Sequence, residues 1–200
     1  MRIYLATKNA GKRDEFAALF AGSDVELVTY AAYRDPVEGE ISYLDNAALK
    51  AYALRDQLVQ AGIAANVLAD DSGMEVRALG GAPGVISAYY GGADLTWAQR
   101  RRKVLDELAG RPLAERAARF VCALHFIAAD DRELVTFATV EGLVANDDRG
   151  AGGFGYDPIF VYPPLGRTFA EMLATEKNRH SARAVALAAL TGGLRAVTAG

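Results

Sequence analysis

A short apolar run that ends in two adjacent acids is the strongest constraint on how this chain folds. The run covers Val67–Ala69, and Asp70, Asp71, Ser72 and Gly73 follow it directly. The apolar residues predict a brief buried strand, and the glycine predicts its end, because glycine adopts turn conformations that other residues resist. Neighbouring carboxylates at a strand end can bind a hard divalent cation or accept a proton from water. A polar turn with an Asx cap explains the same residues equally well, so this motif alone leaves both alternatives open.

The first residues of the chain predict a strand, a turn and a helix. Arg2–Ala6 has the apolar pattern of a short strand, and a helix is expected from about Arg13 to Ala21. The loop Thr7–Lys12 then lies beside the free amides of a helix N-terminus, where an anion is stabilised. It is not a Walker A loop, because the sequence G-x-x-x-x-G-K-[ST] is absent. An ordinary turn with a solvated lysine remains the alternative.

Two later helix starts also carry charged residues. Glu38 precedes a helix predicted to run to about Ala61. This acid is either a surface residue favoured by the helix dipole or a metal ligand that works with the second central acid. Lys177 and Arg183 bracket the start of the last helix, which is expected to end at Gly192-Gly193, and they form a second candidate anion site.

A glycine-rich stretch, Gly150–Gly155, literally matches the dinucleotide fingerprint G-x-G-x-x-G. That fingerprint requires a strand before it and a helix that opens within it. Here Tyr156–Pro158 and a predicted strand, Ile159–Tyr162, follow instead, so the dinucleotide interpretation is rejected. What remains is a loop whose backbone can approach a planar base while the ring of Phe154 or Tyr156 stacks on it.

Composition excludes several classes of protein. An apolar share of 52% predicts a compact globular chain, and the formal net charge of −3 argues against a general binder of nucleic acids or anionic membranes. Arg100–Lys103 point around most of a predicted helix, so they form a solvated face and no single basic stripe. Cys122 is the only cysteine, which excludes an intrachain disulfide and a Cys-based zinc site. No stretch spans a bilayer and no secretory core is present, which predicts a soluble cytoplasmic protein.

Taken together and in order, these motifs resemble the inosine triphosphate pyrophosphatase family. The resemblance covers nearly the whole chain, and the ordered set is far more specific than any one motif. The segments that carry it are Thr7–Lys12, Ala69–Gly73, Leu79–Gly84, Gly152–Pro158, Thr168–Met172 and Glu176-Lys177.

The resemblance implies an α/β fold with an elongated, highly twisted mixed sheet flanked by helices. It implies a single pyrophosphatase domain over residues 1–200, with two lobes and a cleft between them. It also implies a homodimer that requires Mg²⁺, while the net charge of −3 and the lack of a bilayer-spanning stretch argue against a nucleic-acid or membrane partner. The implied activity is hydrolysis of dITP, ITP and XTP between the α- and β-phosphates, which yields a nucleoside monophosphate and pyrophosphate.

The resemblance also assigns roles to residues. Glu38 and Asp71 are similar to the family's metal-binding acids, and Asp71 to its general base. Thr7, Asn9, Lys12, Ser72 and Lys177 resemble its phosphate contacts, and Phe154–Asp157 the loop that receives the base. The full set of implied substrate-binding residues is Thr7, Lys8, Asn9, Ala10, Gly11, Lys12, Ser72, Phe154, Gly155, Tyr156, Asp157, Lys177, Ala182 and Arg183.

One departure concerns the base. The family usually has Ser-His-Arg at the start of its last helix, whereas this chain has Ser181-Ala182-Arg183, with His180 nearby. Arg183 and the backbone of the Phe154–Asp157 loop are then left to recognise the base, and selectivity is affected more than hydrolysis. Two alternatives stay open: a related nucleotide pyrophosphatase with an altered base preference, and a catalytically quiet nucleotide-binding sensor.

Overall fold

Seven β-strands and five α-helices form over residues 1–40 and 42–198, the part of the chain that this computed structural model describes; for 194–198 it describes the backbone alone. The strands are β1 (Arg2–Ala6), β2 (Glu26–Val28), β3 (Asn66–Val76), β4 (Ala117–Ile127), β5 (Glu133–Val144), β6 (Phe160–Tyr162) and β7 (Arg167–Thr168). The helices are α1 (Ala10–Phe20), α2 (Tyr43–Gln60), α3 (Trp97–Glu107), α4 (Ala174–Lys177) and α5 (Ala182–Thr198). Within the described residues, none of these helices is long and apolar enough to cross a membrane.

The strands form one mixed sheet in the order β2-β1-β3-β4-β5-β6-β7. β1 runs parallel to both of its neighbours, with Ile3 opposite Leu27 on one side and Asn66 on the other. β6 runs antiparallel to β5 and β7. Helices α1 and α2 connect the parallel strands, as crossovers between parallel strands require. The predicted α/β class with a mixed sheet flanked by helices is therefore confirmed.

The chain divides into two compact units, and each contains several chain segments. The first consists of residues 1–71, 122–138 and the chain from 183 onward, and the second of residues 72–121 and 139–182. Because each unit is built from separated segments, neither can be cut out of the sequence as one continuous piece.

The first unit is held together by the apolar face of α2. Ala51, Leu54 and Leu58 recur at helical spacing and are fully buried with Val67 and Ala69 of β3. The N-terminus of α2 is capped by Ser42, whose Oγ accepts a hydrogen bond from the Asp45 amide at 3.1 Å. Ser42 therefore marks the start of the helix, and the helix presents one face to the sheet.

The second unit has an aromatic core. Phe120 and Phe160 lie with ring centroids 4.4 Å apart, and Phe169 lies 5.0 Å from Phe160. Arg100 is buried in the same unit, and its guanidinium donates to the carbonyls of Ala88 and Ala93. The prediction of a solvated basic face is therefore wrong for Arg100, because its planar donors organise a loop ahead of α3.

Two predicted element ends are also wrong. β3 does not stop at Gly73: it continues to Val76, because the apolar pattern resumes with the fully buried Met74 and Val76. Helix α5 does not stop at Gly192-Gly193 but continues through both to Thr198. A Cβ placed on Gly193 would make an ordinary van der Waals contact with Leu134 at 3.7 Å, so the helix does not depend on glycine at this position. Helix α1 also begins three residues before its predicted start, at Ala10.

Candidate active site

The loop after β1 is ordered by its own side chains. Asn9 caps α1: its Oδ1 accepts from the Lys12 amide at 3.1 Å, and the Asn9 amide donates to Thr7 Oγ1 at 3.2 Å. Ala10 and Gly11 lie in the first turn of the helix, and this first turn contains no acidic side chain. The predicted strand, turn and helix are confirmed, while anion binding at this turn stays a prediction. Lys8 points its exposed ammonium toward Asp35 at 3.5 Å.

Asp70 is the buried centre of a charge cluster in the first unit. Its Oδ1 lies 3.0 Å from Lys12 Nζ, and its Oδ2 accepts from Arg183 Nη2 at 2.9 Å. Arg183 also donates to Glu15 Oε2 at 2.9 Å. Arg183 is thus buried among acids of its own unit, and its predicted contact with a base stays a prediction.

Asp71 and Glu38, the two predicted metal ligands, share a lysine. Lys50 Nζ lies 2.8 Å from Asp71 Oδ1 and 3.1 Å from Glu38 Oε2. Because both carboxylate oxygens contact the same ammonium nitrogen, the carboxylates of Glu38 and Asp71 lie close to each other. The structure brings together two acids that lie far apart in the sequence.

Asn46 completes this cluster from the buried face of α2. Its side-chain amide donates to Asp71 Oδ2 at 3.2 Å and to the Gly39 carbonyl at 2.9 Å, and its Oδ1 accepts from the Gly39 amide at 2.8 Å. The loop that carries Glu38 is therefore fixed to the helix by a two-way hydrogen bond. Such fixed geometry is what a catalytic constellation needs.

The two adjacent acids have opposite electrostatic environments. Burial would raise the pKa of Asp70, but Lys12, Arg183 and Lys50 outweigh burial and hold this pKa well below its usual range. Burial dominates for Asp71 and raises its pKa, although Lys50 and Lys12 oppose the shift. Burial lowers the pKa of Lys50, but Asp71, Asp70 and Glu38 together raise it, so the ammonium stays charged. Two carboxyls with separated pKa values are typical of sites where one is structural and the other accepts a proton.

The donor set fits magnesium better than a metal held by protein alone. Within residues 1–40 and 42–198, no group of three or more His, Cys, Asp or Glu side chains could hold a metal ion. Mg²⁺ in phosphate-processing sites is bound through one or two carboxylates, with waters and substrate phosphates as the other ligands. Glu38 and Asp71 supply that number of carboxylates.

In the second unit, Lys177 and Asp157 form a buried pair. Lys177 Nζ lies 2.6 Å from Asp157 Oδ2 and 4.5 Å from the centroid of the Phe154 ring. Asp157 Oδ2 also accepts from the Phe154 amide at 2.7 Å. A side chain at Gly153 would collide with the Asp157 carboxylate, so glycine is required for this tight loop. Lys177 therefore contacts the predicted base loop, and its predicted role at the phosphates stays a prediction.

Of the two aromatic residues in the loop, only Phe154 is suited to stack on a base. Tyr156 is buried: its hydroxyl donates to the Ser87 carbonyl at 3.1 Å, and its ring meets Trp97 edge-on at 5.5 Å. A Cβ placed on Gly155, which has φ +63°, would lie 3.8 Å from the same Trp97 ring. Tyr156 thus anchors the loop through its buried ring and hydroxyl, whereas Phe154 is only half-buried.

Ala182, which stands where the family usually has a histidine, is buried. Ala182 is 4% exposed at the first residue of α5, and His180 stacks on Tyr162 with ring centroids 4.9 Å apart. Ser72, the remaining implied phosphate contact, follows Asp71 on β3 and is partly buried.

Sequence reasoning missed Lys50, Asn46 and Glu15. A signal for the first two was present, because they fall four residues apart on the stripe of α2 that otherwise carries Ala47, Ala51 and Leu54. A lysine and an asparagine on an apolar stripe must find buried partners. Glu15 gave no comparable signal, since its partner Arg183 is 168 positions away.

Comparison with known proteins supports one family. The Ham1 family model matches residues 3–192. A dITP/XTP pyrophosphatase from Geobacillus kaustophilus is 47% identical over 191 residues, which covers 94% of this chain and 91% of that protein. The solved Ham1 protein of Staphylococcus aureus superposes with a TM-score of 0.82 at 33% identity and covers 98% of this chain and 99% of that one. A HAM1 protein from Coxiella burnetii gives a TM-score of 0.81 at 35% identity, with 98% of both chains covered.

The family model spans nearly the whole chain, the relatives match end to end, and the solved structures share the fold. The family resemblance seen in the sequence is thereby confirmed, and this chain belongs to the Ham1 family.

Proposed function

We propose that this chain hydrolyses the non-standard purine nucleoside triphosphates dITP, ITP and XTP to the nucleoside monophosphate and pyrophosphate. The observation that carries the proposal is the contact of Asp71 and Glu38 with one ammonium, Lys50, beside the buried pair of Asp70 and Lys12. Relatives that match over nearly their whole length are named dITP/XTP pyrophosphatases. We propose that the chain forms one catalytic domain and acts as a homodimer in the cytoplasm.

In this proposal Asp71 is the general base. Burial raises the pKa of its carboxyl, so it binds a proton more readily than an exposed aspartate does. Lys50 and Asn46 hold its two oxygens, which fixes the direction in which it can accept a proton from water. A positioned carboxylate base contributes about 10²–10⁴-fold to a rate.

Glu38 and Asp71 are the proposed ligands of Mg²⁺. When bound, the ion offsets the negative charge of the phosphates and so eases the approach of a nucleophile. Asn46 keeps the two ligands at a fixed separation through Gly39 and Asp71.

The phosphate contacts are proposed to come from the N-terminal turn and from Ser72, whereas Lys177 is proposed to act through the base loop, where it contacts Asp157. Lys12 supplies a cation, and the capped turn of Thr7–Gly11 supplies backbone amides at the start of an 11-residue helix. Lys8 in this turn has an exposed side chain, whose ammonium lies 3.5 Å from Asp35 Oδ2.

The base is proposed to lie against Phe154 and the backbone of Gly155–Asp157, with Arg183 as a further donor. A 6-oxo purine offers a carbonyl to such donors, whereas adenine offers an amino group and leaves them unsatisfied. Ala182 contributes no donor, so the preference for 6-oxo purines over ATP should be shallower than in relatives with Ser-His-Arg.

A substrate panel with pyrophosphate detection tests the proposal. With Mg²⁺ present, dITP, ITP and XTP should be turned over much faster than dATP and dGTP. Tight binding of dITP without turnover would identify a sensor and refute the enzyme. Turnover without any preference for 6-oxo purines would instead support the alternative of a related pyrophosphatase with altered base preference.

A further inference from the structure

Two amide side chains of α2 bind the backbone of the segment that precedes this helix. Asn46 accepts a hydrogen bond from the Gly39 amide at 2.8 Å and donates to the Gly39 carbonyl at 2.9 Å. Gln57 makes the same pair of bonds with Arg34: its Oε1 accepts from the amide at 2.8 Å, and its Nε2 donates to the carbonyl at 2.9 Å. Residues 34–39 thus form a strap that is clasped at both ends.

The strap has little slack between its two clasps. At about 1.5 Å per residue, α2 extends about 16 Å from Asn46 to Gln57. At about 3.5 Å per residue, a chain from Arg34 to Gly39 reaches about 17 Å when it is fully extended. The strap contains no turn or helix, and Pro36 within it fixes its own φ and favours an extended residue before it. The strap therefore runs nearly extended along α2.

The charged side chains of the strap reach two parts of the proposed site. Asp35 Oδ2 lies 3.5 Å from Lys8 Nζ in the N-terminal turn. Glu38 Oε2 lies 3.1 Å from Lys50 Nζ in the acid cluster. Between these two acids, Val37 is 94% exposed. Apolar packing at this residue therefore does little to hold the strap, and the position of Glu38 depends on polar contacts and on the clasps.

The clasp at Gln57 joins the strap to the core of the first unit. Asn46 binds the strap next to Glu38, but a segment held at one end can still pivot about that end. At the other end, Tyr33 is 5% exposed and packs in the cluster under α2, and the Gln57 clasp holds the residue that follows it. Losing this clasp frees backbone dihedrals ahead of Glu38, so the conformation that binds a ligand is populated less often.

We propose that Gln57 is a positioning residue for Glu38: by clasping the far end of the strap, it holds this carboxylate where the proposed Mg²⁺ site needs it. Its effect is exerted through the strap and not through contact with the substrate. The inference rests on the proposed function, in which Glu38 and Asp71 are the metal ligands. It adds a residue far along α2 from the acids to those that fix the site.

Gln57→Leu tests this, because leucine has a similar size and can form neither bond. We expect the Mg²⁺ concentration for half-maximal dITP turnover to rise about 2- to 10-fold, the range of one hydrogen bond, while kcat at saturating Mg²⁺ stays within about twofold. In the metal-free protein without substrate, hydrogen exchange of the amides in 34–39 should become faster. Pro36→Gly keeps both clasps but adds backbone freedom, and it should shift both readouts in the same direction.

Gln60→Leu is the matched control, because Gln60 is an exposed glutamine near the C-terminal end of the same helix. It should change neither readout. Unchanged Mg²⁺ dependence in both Gln57→Leu and Pro36→Gly overturns the inference, as does exchange that becomes equally faster throughout α2, because the cause would then be a general loss of stability. If the wild-type protein shows no Mg²⁺-dependent turnover of dITP, the proposed function itself fails. A Mg²⁺-dependent wild type whose metal requirement resists both variants refutes the inference alone.

Discussion

Asp71 and Asp70 are neighbours on one strand, yet their surroundings separate their roles. Asp70 is compensated by Lys12 and Arg183, which hold its pKa well below the usual range, whereas burial raises the pKa of Asp71. The first is therefore always ionised and structural at neutral pH. The second can exchange a proton, as the proposed general base must.

Replacing Asp71 by Asn removes the charge and the proton acceptor while keeping the shape. We expect turnover of dITP to fall by at least about 10²-fold with an unchanged circular dichroism spectrum. Steady-state kinetics at saturating Mg²⁺ measure the effect. Near-normal turnover in a folded Asp71→Asn protein would exclude this residue as the base.

Lys12→Ala should weaken transition-state stabilisation by about 2–4 kcal/mol for dITP and XTP alike, because a phosphate contact does not distinguish bases. Arg13→Ala, an exposed position on the same turn of α1, is the control and should change little. Values of kcat/KM for both substrates decide the matter. A loss that differed strongly between bases would move Lys12 away from the phosphates.

Lys177→Ala should behave differently from Lys12→Ala, because the Lys177 ammonium contacts the Asp157 carboxylate and lies over the Phe154 ring. Removing it leaves a buried carboxylate unpaired and loosens the loop, so the loss should depend on the base. The dITP to dATP ratio measures this. An equal loss for every purine would return Lys177 to the phosphate role that the sequence predicts for it.

Asp70 also sets a pH dependence of stability. Because its pKa is lowered in the folded protein, its stabilisation is complete above the unfolded value of about 3.9 and is lost as pH falls toward the folded value. Asp70→Asn should cost about 3–5 kcal/mol at pH 7, since it leaves buried cations short of an anion, and this cost should shrink in acid. Urea unfolding at pH 7 and pH 3 measures both, with the exposed Asp14→Asn as control. A cost that grew in acid would contradict the assignment.

At the scale of elements, helix α2 both builds the core and positions the site. Leu54 is fully buried, whereas Val59 on the same helix is 57% exposed. Leu54→Ala should lower the free energy of unfolding by about 2–5 kcal/mol, and Val59→Ala by much less. Denaturant titration compares the two. Similar costs would mean that this helix face is not packed as described.

The sequence predicted the existence of most elements but not all of their ends. Gly73 and Gly192-Gly193 suggested stops, yet β3 and α5 continue through them. For β3 the reason is the burial of Met74 and Val76 beyond the glycine. Local glycine signals compete with tertiary packing, and here packing decides.

Motifs in the sequence indicate some of the candidate site residues, but they do not indicate contacts between residues that are far apart in the sequence. Glu38, Asp71 and the Phe154–Asp157 loop could be named from motifs, whereas the Lys50 link between the two acids required the fold. The same holds for the Arg183 contact with Glu15, which no local pattern indicates.

At the scale of the whole molecule, family and fold agree. The Ham1 match over residues 3–192 and the TM-score of 0.82 with the Staphylococcus aureus protein confirm the predicted family and the α/β class.

Loss of Mg²⁺ tests the proposed cofactor: EDTA should abolish turnover, and added Mg²⁺ should restore it while leaving the secondary structure unchanged. Full activity in EDTA would remove the metal from the account.

The most direct test of the central claim is the identity of the products from dITP. Wild-type protein with Mg²⁺ should release dIMP and pyrophosphate in equal amounts, and Asp71→Asn should release neither at a comparable rate. Chromatography of the nucleotide together with separate assays for pyrophosphate and orthophosphate resolves this in one time course. Release of dIDP and orthophosphate, or of no product from a protein that binds dITP, would contradict the account.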